Sequence, residues 1–296
     1  MIAGQNMSFT QIASGRYLEG LAVDDGTVWF TDVILGGVQG LHSNGGTSHW
    51  FPERLWIGGV ALNDDGAVLC SGPGGISWFN AATGRSGTLL SSIDGVPLSG
   101  VNEMCSDAQG NLIFGTLDIE SIVKGRKTSP VALYRLGVRG DVTLLSDGLA
   151  FCNGVSVSLD GRKLYHNESF VGTFVYDIAE DGSLGPRRML LDKADCDGVA
   201  LDARGHLWIS GFASEELLCL RPDGTIERRL PFPGGAATNL RFGGADQCDL
   251  FMTVVPLTAG ADIARGRLPS ECNSVLYRAR SPVPGRAARK TRFRLG

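Results

Sequence analysis

The feature that most constrains this chain is a strand–turn–strand unit that occurs six times. In each copy a short apolar run leads into a turn rich in Asp and Gly, then returns as a second apolar run ending at small residues. The fifth copy shows it plainly: Cys196-Asp197-Gly198-Val199-Ala200-Leu201, a turn through Asp202 to Gly205, and Leu207-Trp208-Ile209-Ser210. The copies begin at Glu19, Gly58, Asn102, Asn153, Asp197 and Thr238, at intervals of 39, 44, 51, 44 and 41 residues. Such intervals are those of four-stranded propeller blades. Each also holds a second strand pair, such as 75–79 with 89–90 and 217–220 with 226–229. The sixth unit lacks a fourth strand, while residues 8–13 form a strand-like segment without a unit of its own. Joining the two closes the ring and removes an open sheet edge. The expected fold is therefore all-β: a six-bladed β-propeller in one domain over 1–296, with 1–6 and 286–296 as flexible ends. Glycine, at 42 of 296 residues, is present at about twice its usual share and suits so turn-rich a chain.

Composition narrows the partners. A formal net charge of −4 gives no electrostatic reason to expect nucleic acid or an anionic membrane surface. The basic stretch 286–294 is the local exception and reads as a solvated end. No apolar run approaches the length of a membrane span, and no charged-then-apolar leader opens the chain, so the expected location is cytoplasmic. Seven cysteines without a Cys-x-x-Cys pair point to free thiols in a reducing compartment. Cys152 and Cys196 precede two of the repeat's first positions and read as small packed apolar side chains.

In a propeller the innermost strand of every blade lines the central channel, so the six first positions converge at one level of the axis. Two carboxylates (Glu19, Asp197) and two carboxamides (Asn102, Asn153) then share a small volume, with Gly58 and Thr238 leaving room. Carboxylates held together out of water cost several kcal/mol unless neutralised. A divalent cation resolves this; a hydrogen-bonded polar plug is the alternative. All-oxygen ligation suits a hard ion, Ca2+ first, with Mg2+, Mn2+ or Zn2+ also compatible. The loops after each second strand return to the same face as the ring, and those at 117–130 and 255–273 are long enough to form a lid or wall. Leu35, Pro73, Ile119, Phe170, Phe212, Pro256 and Leu257 would make the mouth apolar, with Asp118 and Glu120 its nearest acids.

At these positions the sequence resembles the SMP-30/gluconolactonase/luciferin-regenerating-enzyme family over essentially its whole length. That family carries Glu-Gly-Pro, Arg-x-Asn-Asp, Ser-Asn-Gly and Pro-Asp-Gly at the starts of inner strands. Here Glu19-Gly20-Leu21, Gly100-Val101-Asn102-Glu103, Cys152-Asn153-Gly154 and Cys196-Asp197-Gly198 stand in those places. The resemblance implies a six-bladed propeller, a calcium-type divalent metal and hydrolysis of lactones, with organophosphate hydrolysis in relatives. It implies Glu19, Asn153 and Asp197 as metal ligands, Asn102 as a further ligand or substrate contact, and Asp197 also as general base. Two departures stand out: the arginine that contacts sugar-type substrates is replaced by Gly100, and its Asp neighbour by Glu103, which remains a pocket candidate. Loss of a bidentate guanidinium points away from gluconolactone and toward a less polar small-molecule lactone or ester. A metal-assisted lyase or isomerase on the same site, and a propeller that only binds partners around a structural ion, are the rival readings.

Overall fold

A computed structural model describes residues 7–24, 26–231, 234–263, 267, 269 and 272–296. Residues 1–6, the expected flexible start, lie outside the described residues. Among those described, the strands assemble into six blades. The first is Leu18–Asp24, Thr27–Asp32, Val38–His42 and Thr47–Trp50, in that spatial order. The next four repeat it, with inner strands Val60–Leu62, Gly100–Ser106, Cys152–Val157 and Cys196–Leu201. The sixth is Ala236–Gly243, Asp249–Val255 and Ser274–Arg280, completed by the N-terminal strand Phe9–Gly15 running antiparallel to Ser274–Arg280. The ring thus closes as the orphan strand at the start of the sequence requires.

The inner strands are buried on both faces, which is why they read as near-continuous apolar runs rather than strict alternations. Neighbouring blades pack face to face. Leu69 and Trp78 of the second blade meet Met104 and Phe114 of the third, and Trp208 of the fifth meets Phe242 of the sixth edge-on at 5.6 Å.

Five of the six first positions, all but Gly58, sit at an irregularity. The pairing of the two inner strands skips between Leu18 and Leu21, Val101 and Met104, Cys152 and Val155, Cys196 and Val199, and Ala237 and Asn239. A bulge of this kind re-aims one side chain out of the pleat, here toward the axis. The freed backbone N–H beside it is met by a hydroxyl on the second strand: Gly20 N–H donates to Thr31 Oγ1 at 2.8 Å, Gly59 N–H to Ser71 Oγ at 2.8 Å, and Gly198 N–H to Ser210 Oγ at 2.9 Å. Some of these hydroxyls donate in turn to the next blade, Thr31 to Ile57 O at 2.7 Å and Thr253 to Glu19 O at 3.2 Å. The glycine after the first position is needed for close approach. A Cβ on Gly154 would strike the backbone carbonyl of Asp197, and one on Gly198 would lie 2.8 Å from the Cα of Asn239.

The basic C-terminal stretch, expected as a frayed end, is an ordered strap across the face opposite the ring. From Pro284 to Phe293 it bonds to every blade: Lys290 to Asp24, Thr291 and Phe293 to Asn63, Lys290 O to Ser106, Arg286 to Val157 O, Arg286 N to Leu201 O, and Gly285 N to Gln247 O. Thr291 and Phe293 are buried. The charge of this stretch hides its packing, which rests on the small and apolar positions between the charged ones, Thr291 and Phe293 among them.

Candidate functional site

Five of the six first positions, Glu19, Gly58, Asn102, Asn153 and Asp197, line the floor of one cavity of about 460 Å³ on the axis. Thr238 stands aside, its hydroxyl turned to Leu18 O at 2.9 Å and to Thr253. Local hydrogen bonds orient the carboxamides. Asn102 Nδ2 donates to Cys152 O at 2.8 Å, which turns its Oδ1 over Gly58, a position where any Cβ would collide with that oxygen. Asn153 Nδ2 donates to Ser169 Oγ at 3.1 Å, and Ser169 itself donates to Cys196 O at 2.6 Å. Both amides therefore have their nitrogens engaged with the scaffold and their oxygens toward the channel, where Asn153 Oδ1 also accepts a long bond from Asn102 Nδ2 at 3.4 Å. Ser169 is a residue that motif reasoning missed; its signal is its place just after the second strand of the blade carrying Asn153.

The two carboxylates are poorly provided for. Asp197 Oδ1 is buried and has no hydrogen-bond partner among the described residues. Burial, then the neighbouring charges of Glu19 and Glu103, hold the Asp197 carboxyl well above the usual carboxylate range. Burial and the charge of Glu103 push Glu19 up to about 8, against the opposing charge of Arg241. Tyr17, on the cavity wall, keeps its phenol proton far above the ordinary range through burial and the same two acids. An orphaned buried oxygen, a second buried acid and two amide oxygens in one floor are a donor set that fits a hard divalent cation.

Glu103, expected in the substrate pocket, lies beneath the ring instead. It is wholly buried, accepts from Asn239 Nδ2, and pairs with Arg241 Nη2 at 3.0 Å. Since Asn239 belongs to the sixth blade and Glu103 to the third, this bond crosses the channel. A hydrogen-bonded polar cluster thus spans the channel one layer below the ring. Asn239 and Arg241 carried no sequence signal, because their partner is 136 and 138 residues away.

At the mouth, Phe170 and Phe212 line the cavity as expected, joined by Phe151: the ring centroids of Phe170 lie 5.9 Å from Phe151 and 5.6 Å from Phe212. Trp56 and Tyr17 complete an aromatic wall. Trp56 and Phe170 hold left-handed backbone, φ 61° and 73°, a conformation that costs a bulky residue about 1–3 kcal/mol and is tolerated where a site imposes it. The other expected mouth residues do not line the cavity. Asp118 caps the short helix Ile119–Val123, its carboxylate accepting from Ser121 N at 3.1 Å and Ser129 N at 2.9 Å. Those bonds hold it below the usual range. Glu120 is exposed and paired with Lys124 and Arg126. Pro73 bridges to Gly100 in a short strand pairing. Ile119 is buried against Gly100, filling the room a side chain there would need, so Leu117 and Ile122 present apolar surface at that edge. Cys152 and Cys196 are buried thiols whose ionisation is pushed far up by burial, in keeping with a packing role.

A separate group lies in the fifth blade, where ligand atoms of Asp202, His206 and Cys219 fall within 4.8 Å of one another, close enough to share a cation. Arg204 occupies it, however, bonding Asp202 Oδ2 at 3.0 Å and Glu227 at 3.4 Å.

A closed ring of six inner strands, five of them bulged, with two acids and two amides on the floor of an axial cavity, defines a six-bladed propeller with a polar axial pocket. Within that fold, the chain belongs to the SMP-30/Gluconolactonase/LRE-like family, whose model matches residues 18–255. It is 24% identical to the pentonolactonase XacC of Haloferax volcanii over 255 residues, covering 81% of this chain and 79% of that one. Among solved structures it resembles a luciferin-regenerating enzyme with a TM-score of 0.82 at 20% identity, over 97% of this chain and 100% of the other. It also resembles the calcium-binding protein regucalcin of Agrobacterium tumefaciens with a TM-score of 0.76 at 21% identity, over 95% and 97%. No helix among the described residues is long and apolar enough to cross a membrane.

Proposed function

We propose that the protein is a divalent-cation-dependent hydrolase of a lactone or related ester, acting at the floor of the axial cavity. The observation that carries this reading is the unpartnered, buried Oδ1 of Asp197 beside the second buried acid, Glu19, under an open, aromatic-walled cavity. Similarity to the Haloferax pentonolactonase supports the reaction class, and likeness to the calcium-binding Agrobacterium protein supports the ion.

Glu19, Asn153 and Asp197 would hold the cation, with Asn102 Oδ1 as a fourth donor; Ca2+ is the first choice, and Mg2+, Mn2+ or Zn2+ suit the same oxygens. When bound, the cation supplies Lewis-acid polarisation of the substrate carbonyl. Asp197 takes a proton from the attacking water as that water's oxygen bonds the acyl carbon; the ring C–O bond then breaks and Asp197 returns the proton to its oxygen, giving a hydroxy acid. Asn102 and Asn153, locked by Cys152 O and Ser169, keep their oxygens in place without reorganisation. Phe151, Phe170, Phe212 and Trp56 seat the substrate body and exclude water around it. With Ile119 filling the space beside Gly100, that body is less polar than a sugar's polyol. Seven unpaired cysteines suit a reducing, cytoplasmic setting.

The test is turnover of a lactone panel by metal-stripped and reloaded protein in heavy-oxygen water. Chelation should abolish turnover, a divalent cation should restore it, and one labelled oxygen should appear in the product carboxylate. Turnover indifferent to chelator, or product without label, overturns the reading.

A further inference from the structure

The cavity wall changes character between floor and rim. Its only acids, Glu19 and Asp197, lie at the floor; above them the lining contributes Arg126, Lys127 and Arg267 and no carboxylate among the described residues. These cations arrive from opposite sides. Arg126 and Lys127 follow the helix Ile119–Val123 in the third blade's long loop, whereas Arg267 belongs to the sixth blade's, and those blades face each other across a six-fold ring. Their local partners are weak. Glu120, exposed, is shared between Lys124 at 2.6 Å and Arg126 at 3.3 Å, and Arg267 has Asp262 at 3.7 Å. Exposed pairs of this kind hold their cations loosely. Lys127 has no bonded partner among the described residues, and both Asp118 oxygens are engaged with backbone N–H groups.

Resting on the hydrolase reading above, we propose that the substrate is a lactone with an apolar body and an anionic arm, the arm held at the rim by Arg126, Lys127 and Arg267. A neutral polyol has no use for three converging cations over an aromatic wall. An anion held at the rim is kept from the buried acids of the floor, and guanidinium groups match a carboxylate or a sulfonate with the same fork of N–H donors. The binding advantage is electrostatic and partly exposed, so it falls with salt.

The test uses the full chain loaded with Ca2+ and uncleavable lactams bearing a carboxymethyl arm, a sulfomethyl arm or the methyl ester of the first, followed by calorimetry, alongside hydrolysis of the matching lactones. Charged arms should bind at least about tenfold more tightly than the ester. The carboxylate and sulfonate arms identify which anion is preferred. The advantage should shrink at high salt and fall below about threefold in Arg126→Ala/Lys127→Ala, with Arg267→Ala reducing it in part; rescue by Arg126→Lys separates charge from fold. Equal binding of all three lactams, or an advantage that survives the double variant, overturns the inference. Selective binding without turnover of any matching lactone overturns the hydrolase reading and leaves the anion site standing, whereas turnover without selectivity overturns the anion site alone.

Discussion

The two ends of the channel are built from the same six inner strands and treat their buried charges in opposite ways. Below the ring, Glu103 has both oxygens taken, by Asn239 and by Arg241 at 3.0 Å, and the strap 284–293 ties the turns of all six blades. At the ring, Asp197 keeps an oxygen without a partner, and among the described residues no guanidinium is paired with either acid. All three carboxyls are pushed upward by burial. The difference is that only one has a resident cation. A buried carboxylate with its own cation is a brace, whereas buried carboxylates that lack one leave an electrostatic deficit that an exogenous cation can meet.

The sharpest way to break this contrast is at the ring. Asp197→Asn keeps the shape but removes the base and a charge, and it should lower kcat/KM for the preferred lactone about 10³-fold or more, with an unchanged circular dichroism spectrum. Activity within tenfold of the wild type would place the base elsewhere.

The opposite end should respond in stability and not in chemistry. Asn63→Ala removes the side chain that accepts from Thr291 and Phe293 N and donates to Phe293 O, leaving buried groups unpaired. A loss of about 3 kcal/mol in urea unfolding is expected, with kcat at saturating substrate within about threefold of the wild type. A large fall in kcat would show that the strap shapes the ring after all.

A third, smaller effect concerns pH and the blade wall between the two ends. His166 is fully buried with neither ring nitrogen bonded among the described residues, and burial lowers its pKa from 6.5 to about 3. Because the folded value lies below the unfolded one, the unfolded chain binds more protons as pH falls through the range between about 6.5 and 3, and stability declines with it. At pH 5 the loss from this group should be about 2 kcal/mol. In His166→Phe the urea midpoint should fall less steeply between pH 7 and 5; an unaltered slope would show that His166 finds a partner on protonation.

The smallest effect expected is at the aromatic mouth. Phe170→Gly relieves a left-handed backbone at φ 73° but removes a ring packed on Phe151 and Phe212. These oppose each other, so stability should move by no more than about 1 kcal/mol, while KM should rise several-fold with kcat less affected. A fall in kcat alone would mean that Phe170 positions the reacting bond and not merely the substrate body.

The sequence by itself determined the propeller, its six blades, the closure by residues 9–15 and five of the positions that line the axial cavity. It could do so because each blade repeats one local rule: an apolar inner strand, in five of the six copies a polar first position and, in four of the six, a glycine after it, where the next strand passes too close for a Cβ. Only the tertiary structure decided what those residues face. Glu103 read as a pocket acid from its place beside Asn102, yet the opposite blade supplied Arg241 and made it a brace. Asp118 and Glu120 read as mouth acids from their loop, yet the loop's own helix turned one into a cap and left the other at the surface. The tail read as a solvated end from its charge, yet Thr291 and Phe293 found Asn63 more than 220 residues away. Periodicity encodes contacts between neighbours in sequence, while charge pairing across an axis depends on which blades the closed ring sets opposite each other.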